Sequence, residues 1–202
     1  MVHAYHAIFG TYGFWLPNDP RGSWSDYVGL YELYRQFGPA TKTTARHSVA
    51  HASHDRAARE AAKQLLARPP VVFTGLQARA VGHGFAESFR KGGVTVWACA
   101  ILPDHVHVVF GRHRQPSELI VNYMKGAATR ALVEEELHPF LAELDESGQV
   151  PQCWAERQWI VYLDSAADIL RAIRYVEENP IKDGLPAQRW QFVTPFRPES
   201  LV

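Results

Sequence analysis

The sequence predicts an α+β fold built on an antiparallel sheet, and three features carry that expectation. Two apolar runs, VTVWACAIL (94–102) and HVHVVFG (105–111), are separated only by Pro103-Asp104, the spacing of a β-hairpin. A capped, periodic helix precedes them. A second periodic helix and an aromatic strand follow.

In chain order, AYHAIFGT (4–11) is rich in aromatic and β-branched residues and reads as a first strand, closed by the loop residues of 16–22 (LPNDPRG). Between 23 and about 50, Trp24, Tyr27, Tyr31, Tyr34 and Phe37 point to a packed excursion, because disordered segments lack such residues. Residues 13–72 therefore read as an insertion, with an Ala-rich helix over 54–67 that stops before Pro69-Pro70. Thr74 with Gln77 forms a capping-box pattern, and Leu76, Ala80, Val81, Phe85 and Phe89 then recur at helical spacing up to Gly92-Gly93. Ser117 is the expected cap of a helix carrying Leu119, Ile120, Tyr123, Met124, Ala127, Ala128, Ala131 and Leu132. WIVYL (159–163) reads as the fourth strand, and a last helix is expected over 166–179, ending where Pro180 disfavours helical geometry. The order is β-α-β-β-α-β plus one helix, a ferredoxin-like antiparallel sheet within a single domain spanning 1–202.

A chain of 202 residues with 47% hydrophobic and 12% aromatic content can bury a core. The first ten residues lack a signal-peptide pattern and no later run reaches the ~18 apolar residues of a membrane span, so a cytoplasmic protein without membrane contact is expected. Cys99 and Cys153 stand apart without a CxxC partner, which argues against a disulfide framework or a zinc ribbon. The formal net charge is zero, so any nucleic-acid surface must be local. Basic residues do gather around the later motifs: Arg112, Arg114, Lys125, Arg130, Arg157, Arg171, Arg174 and Lys182.

Strand side chains alternate faces, so His105 and His107 point the same way while Val106, Val108 and Phe110 face the core. Two neutral imidazoles suit a divalent ion and leave room for a third ligand and a substrate oxygen. A cupin-type site also uses H-x-H, but it wants a glutamate a few residues on, and HVHVVFGRHRQ offers none. The loosely spaced His47, His51 and His54 read as solvated or capping residues. In the last helix, Ile169, Leu170, Ile173 and Val176 share one arc at ~100° per residue, with Asp168, Arg171, Tyr175 and Asn179 on roughly the opposite face. Tyr175 and Asn179, four apart, are neighbours at about 5–6 Å between Cβ atoms. A phenol with a pKa near 10 becomes a useful nucleophile only beside a cation, which joins this helix to the histidine strand. Taken from the helix alone, an exposed tyrosine with Asn179 as a C-terminal cap is the alternative.

Together, LPDHVHVVF (102–110) and IRYVEENPIKDGL (173–185) resemble the single-tyrosine HUH transposases, most closely the REP-associated tyrosine transposases. The resemblance implies that His105 and His107 bind Mg²⁺ or Mn²⁺, that Asn179 completes the metal site, and that Tyr175 attacks single-stranded or hairpin DNA to form a 5′-phosphotyrosine link. It also implies a nucleoid-associated protein, monomeric or homodimeric. Arg112 and Arg114 are then candidate contacts to the DNA backbone, Lys125 and Arg171 to phosphates, and Trp154 to stacked bases. The GFWLPNDPRGSW block (13–24) and the neutral charge depart from the family pattern and bear on target recognition. Two other functions remain open at this point: a domesticated hairpin-DNA-binding protein without cleavage, and an unrelated histidine-metal hydrolase or oxygenase.

Overall fold

A computed structural model describes residues 1–14, 31–38 and 55–201. The elements are β1 (Ala4–Gly10), α1 (Tyr31–Phe37), α2 (Arg56–Gln64), α3 (Gly75–Gly92), β2 (Val96–Ile101), β3 (His105–Gly111), α4 (Ser117–Glu134), β4 (Trp159–Leu163) and α5 (Ala166–Lys182). The strands form one antiparallel sheet in the order β2-β3-β1-β4. The expected loop 16–22, Trp24, Tyr27, the Tyr31 side chain, and His47, His51 and His54 lie outside the described residues.

The sheet has a helix pair on one face and a single helix on the other. Phe9, Val106, Val108, Phe110, Cys99 and Ile101 project toward α3 and α4 and share a core with Phe85, Phe89, Ile120, Met124, Leu132 and Trp154. The opposite face carries Ala4, Ala98, Ala100, Leu102, Val109 and Leu163, packed against Ile169, Ala172 and Val176 of α5. This division follows from the period of two in each strand. Helices α3 and α4 approach closely at Gly84, where an added Cβ would stand 2.5 Å from the Ala127 carbonyl oxygen.

Local signals explain most of the boundaries. Thr74 and Gln77 form the complete capping box of α3, and Gly93 ends that helix in the left-handed conformation (φ 68°). Ser117 does not cap α4: Pro116 holds the cap position, and the Ser117 hydroxyl lies 3.1 Å from the Glu118 carboxylate. Asp55 caps α2, which ends at Gln64, inside the range expected for it.

The last helix runs past Asn179 and Pro180 to Lys182. Proline lacks only one amide donor, and the helix closes again beyond it through Asp183 N–H to the Asn179 carbonyl. Asn179 and Pro180 are both buried, so packing offsets the unfavourable local geometry. Beyond α5, Gln188 hydrogen-bonds both the N–H and the C=O of Ile101, and Thr194 N–H reaches the Val96 carbonyl, so the C-terminal segment covers the outer edge of β2. Among the described residues, no helix is long and apolar enough to cross a membrane.

Candidate active site

Pairing register places the histidines on the α5 side of the sheet. His107 of β3 lies opposite Ile8 of β1, and His105 lies opposite Gly10. Directly opposed residues share a face, and so do residues two apart, which puts His6 of β1 on that face as well. His6 Nε2 is 3.0 Å from His107 Nδ1. Both residues are buried, at 7% and 4% exposure. His107 is thus sealed between the sheet and its surroundings.

His105 is held differently. Its Nδ1 is 2.7 Å from the Asp104 carboxylate, and its ring stacks on Phe14 with centroids 5.0 Å apart. Gly10 permits that stack, since a Cβ there would lie 2.4 Å from the Phe14 ring. The turn residue Asp104, which in the sequence reads only as hairpin punctuation, is therefore an orienting partner for the first histidine of the pair.

Helix α5 brings Tyr175 over this cluster. The Tyr175 ring centroid lies 5.5 Å from that of His107 and 5.9 Å from that of His6. Tyr175 is 38% exposed and stands at the margin of the buried arc rather than opposite to it. Ile169, Ala172, Val176, Asn179 and Pro180 make up that arc, while Leu170, expected within it, is 44% exposed. A pattern of large apolar residues passes over Ala172 and Asn179, and both lie on the buried side. Because α5 continues beyond Pro180, Lys182 also reaches the site, with its ammonium 5.5 Å from the Tyr175 ring centroid.

The electrostatics follow from burial. Desolvation lowers the His6 pKa to about 4. It also holds His107 well below the ordinary histidine value, with further repulsion from His105 and His6. Both imidazoles are therefore neutral at pH 7, the form that binds a metal. Burial raises the Tyr175 phenol above its usual pKa, while Lys182 and a hydrogen bond from Asn179 pull it down and Asp183 pushes it up. The phenol is accordingly protonated at neutral pH.

Among the described residues, no three His, Cys, Asp or Glu side chains form a metal-holding group. The residues expected to hold an ion, His105, His107 and Asn179, would offer two imidazoles and an asparagine amide, a neutral set of three donors whose chemistry suits a divalent cation.

The candidate DNA contacts separate from this cluster. Arg112 and Arg114 are exposed but follow the far end of β3, about 17 Å along the strand from His107 to Arg112 at ~3.4 Å per residue. Lys125 is buried, with Nζ donating to the Ala155 and Arg157 carbonyls at 2.7 and 3.3 Å and lying 5.4 Å from the Phe9 ring centroid. Its ammonium is occupied inside the protein. Trp154 is 3% exposed among Phe9, Phe73 and Phe85, with Nε1 donating to Thr129 at 3.2 Å, so it has no open face for a base. Arg171 is exposed one turn before Tyr175 and pairs with Asp168. Of this set it alone stands on the helix that carries the tyrosine.

No protein-family model and no curated protein sequence matches this chain. Solved structures similar to it include the following two. One is a REP-associated tyrosine transposase bound to a REP hairpin, at 12% identity and TM-score 0.47, covering 91% of this chain and 70% of that one. The other is a candidate transposase from Deinococcus radiodurans R1, at 13% identity and TM-score 0.39, covering 93% of this chain and 94% of that one. Likeness at this level leaves the function to be decided by the side chains themselves.

Proposed function

We propose that this chain is a divalent-metal-dependent tyrosine transposase that cleaves and rejoins single-stranded or hairpin DNA. One observation carries the reading: residues from β3 and α5, 68 positions apart at His107 and Tyr175, meet at 5.5 Å between rings, with buried Asn179 one turn further on. An exposed structural tyrosine with a capping asparagine needs no such meeting.

His105, His107 and Asn179 would hold Mg²⁺ or Mn²⁺, which supplies Lewis acidity to the scissile phosphate when bound. The chain's own residues do the rest. Burial keeps His107 uncharged, so its lone pair is available near pH 7. Helix α5 fixes Tyr175 beside the histidines, and Lys182 stands near its ring, where positive charge favours the phenolate. The phenolic proton passes to solvent water as the tyrosyl oxygen, on a residue 38% exposed, bonds to phosphorus. The bond from phosphorus to the 3′-oxygen breaks, and that oxygen takes up a proton as a free 3′-OH. The resulting 5′-phosphotyrosine bond conserves the broken diester for later strand transfer. Of the residues expected to contact DNA, Arg171 is the one on the tyrosine helix, one turn before Tyr175, where it also pairs with Asp168.

A hairpin with single-stranded flanks should be cut in the presence of Mn²⁺, with weaker binding as salt rises. His107→Ala should abolish the cutting while the protein remains folded. Equal cleavage of blunt duplex, or unchanged cleavage by His107→Ala, would overturn the proposal.

A further inference from the structure

The 3.0 Å contact between His6 Nε2 and His107 Nδ1 joins two buried imidazoles from neighbouring strands. Only one proton can lie on that line. If His6 supplies it, His107 is the Nε2–H tautomer with Nδ1 occupied as acceptor, and neither nitrogen has a lone pair for an ion. If His107 supplies it, Nδ1–H donates to His6, and the His107 Nε2 lone pair is left for coordination.

His105 shows the same arrangement. Its Nδ1 faces the Asp104 carboxylate at 2.7 Å, an acceptor that selects the Nδ1–H tautomer and leaves Nε2 as the coordinating nitrogen. Two histidines on one strand face are thus each engaged through Nδ1, one by a turn carboxylate and the other by an imidazole from β1.

We infer that His6 is a positioning residue of the metal site: it accepts the His107 Nδ1 proton through Nε2 and thereby fixes His107 with its Nε2 lone pair toward the ion. This rests on the reading of His105 and His107 as metal ligands. A histidine suits the task because a carboxylate buried at 7% exposure would carry an expensive charge, while an apolar side chain would leave the His107 donor unpaired. His6 carries its own proton on Nδ1, so no net charge enters the sheet face.

The test uses the full chain, with Mn²⁺ binding followed by titration calorimetry and ring tautomers read by ¹⁵N NMR. His6→Met should weaken Mn²⁺ binding by about 10- to 100-fold, the usual cost of removing an outer-shell partner. His6→Gln, whose Oε1 reaches the position of Nε2 and also accepts, should bind within a few-fold of wild type. In the cation-free wild type, His107 should give the Nδ1–H signature, which does not depend on any variant folding. Three outcomes would each overturn the inference: His6→Met binding as tightly as wild type, His6→Gln falling as far as His6→Met, or His107 in the Nε2–H form. Undiminished binding by His107→Ala would instead remove the metal site on which the inference rests.

Discussion

The two faces of the sheet solve different problems with the same strands. Toward α3 and α4 the filling is large and aromatic, with Phe9, Phe85, Phe89, Phe110 and Trp154 in one cluster. Toward α5 it is small, with Ala4, Ala98 and Ala100 facing Ala172. Large rings bury most apolar area, so the first face supplies most of the hydrophobic stabilisation. Short side chains let α5 approach the strands, and that approach encloses His6, His107 and Asn179 at the end of the second face. The core on one face and the candidate site on the other are thus built from different side chains, so a change on the first is expected to spare the second.

The largest stability effect belongs to the aromatic face. Phe85→Ala should cost about 3–5 kcal/mol in denaturant unfolding, since Phe85 is fully buried against Phe9, Phe89 and Trp154. Mn²⁺ affinity of the folded fraction should stay near that of wild type. Lost metal binding at full folding would show that the faces are coupled.

A smaller effect belongs to the α5 face and depends on pH. The His6 pKa falls from 6.5 in the unfolded chain to about 4 when folded. Between those values the unfolded state binds a proton that the folded state does not, so stability falls as pH drops from 6.5 toward about 4. Each tenfold loss of proton affinity is worth about 1.4 kcal/mol, which makes the contribution roughly 3 kcal/mol at most. Urea unfolding of the metal-free protein across this window should show the decline, and His6→Gln should make it shallower, the remainder belonging to His107, whose pKa burial also lowers. An equal slope in His6→Gln would mean that His6 is not the group that resists protonation.

Much of this architecture is legible in the sequence because it is written in local patterns. The Thr74–Gln77 box, the Gly93 stop and the Pro103-Asp104 turn each act within a few residues, and the structure shows the elements they delimit. The alternation of β3 places His105 and His107 together on one face, away from Val106, Val108 and Phe110. What is not legible depends on pairing between distant segments. No role for His6 can be read from the sequence, because its partner, His107, is 101 positions away. Its signal is the parity of β1, which needs the β1–β3 register before it means anything. Residue type alone suggests Lys125 and Trp154 as DNA contacts, whereas burial assigns both to the interior. The extension of α5 through Pro180, which brings Lys182 to Tyr175, reflects tertiary packing overriding a local preference.

The smallest change in stability should accompany the largest change in chemistry. Tyr175→Phe keeps the ring against His6 and His107 and removes only the hydroxyl with its hydrogen bond from Asn179, so unfolding, Mn²⁺ binding and DNA affinity should change little. A 3′-labelled single strand incubated with wild type and Mn²⁺ should give a denaturation-resistant protein–DNA adduct, because that label lies on the fragment whose 5′-phosphate joins the tyrosine. Exposed Tyr123 and Tyr162, on α4 and β4, are controls whose Phe variants should still form it. Tyr175→Phe should form no adduct, as covalent attack by Tyr175 requires. An adduct at wild-type level in Tyr175→Phe, or cleavage by wild type with no adduct at all, would contradict it.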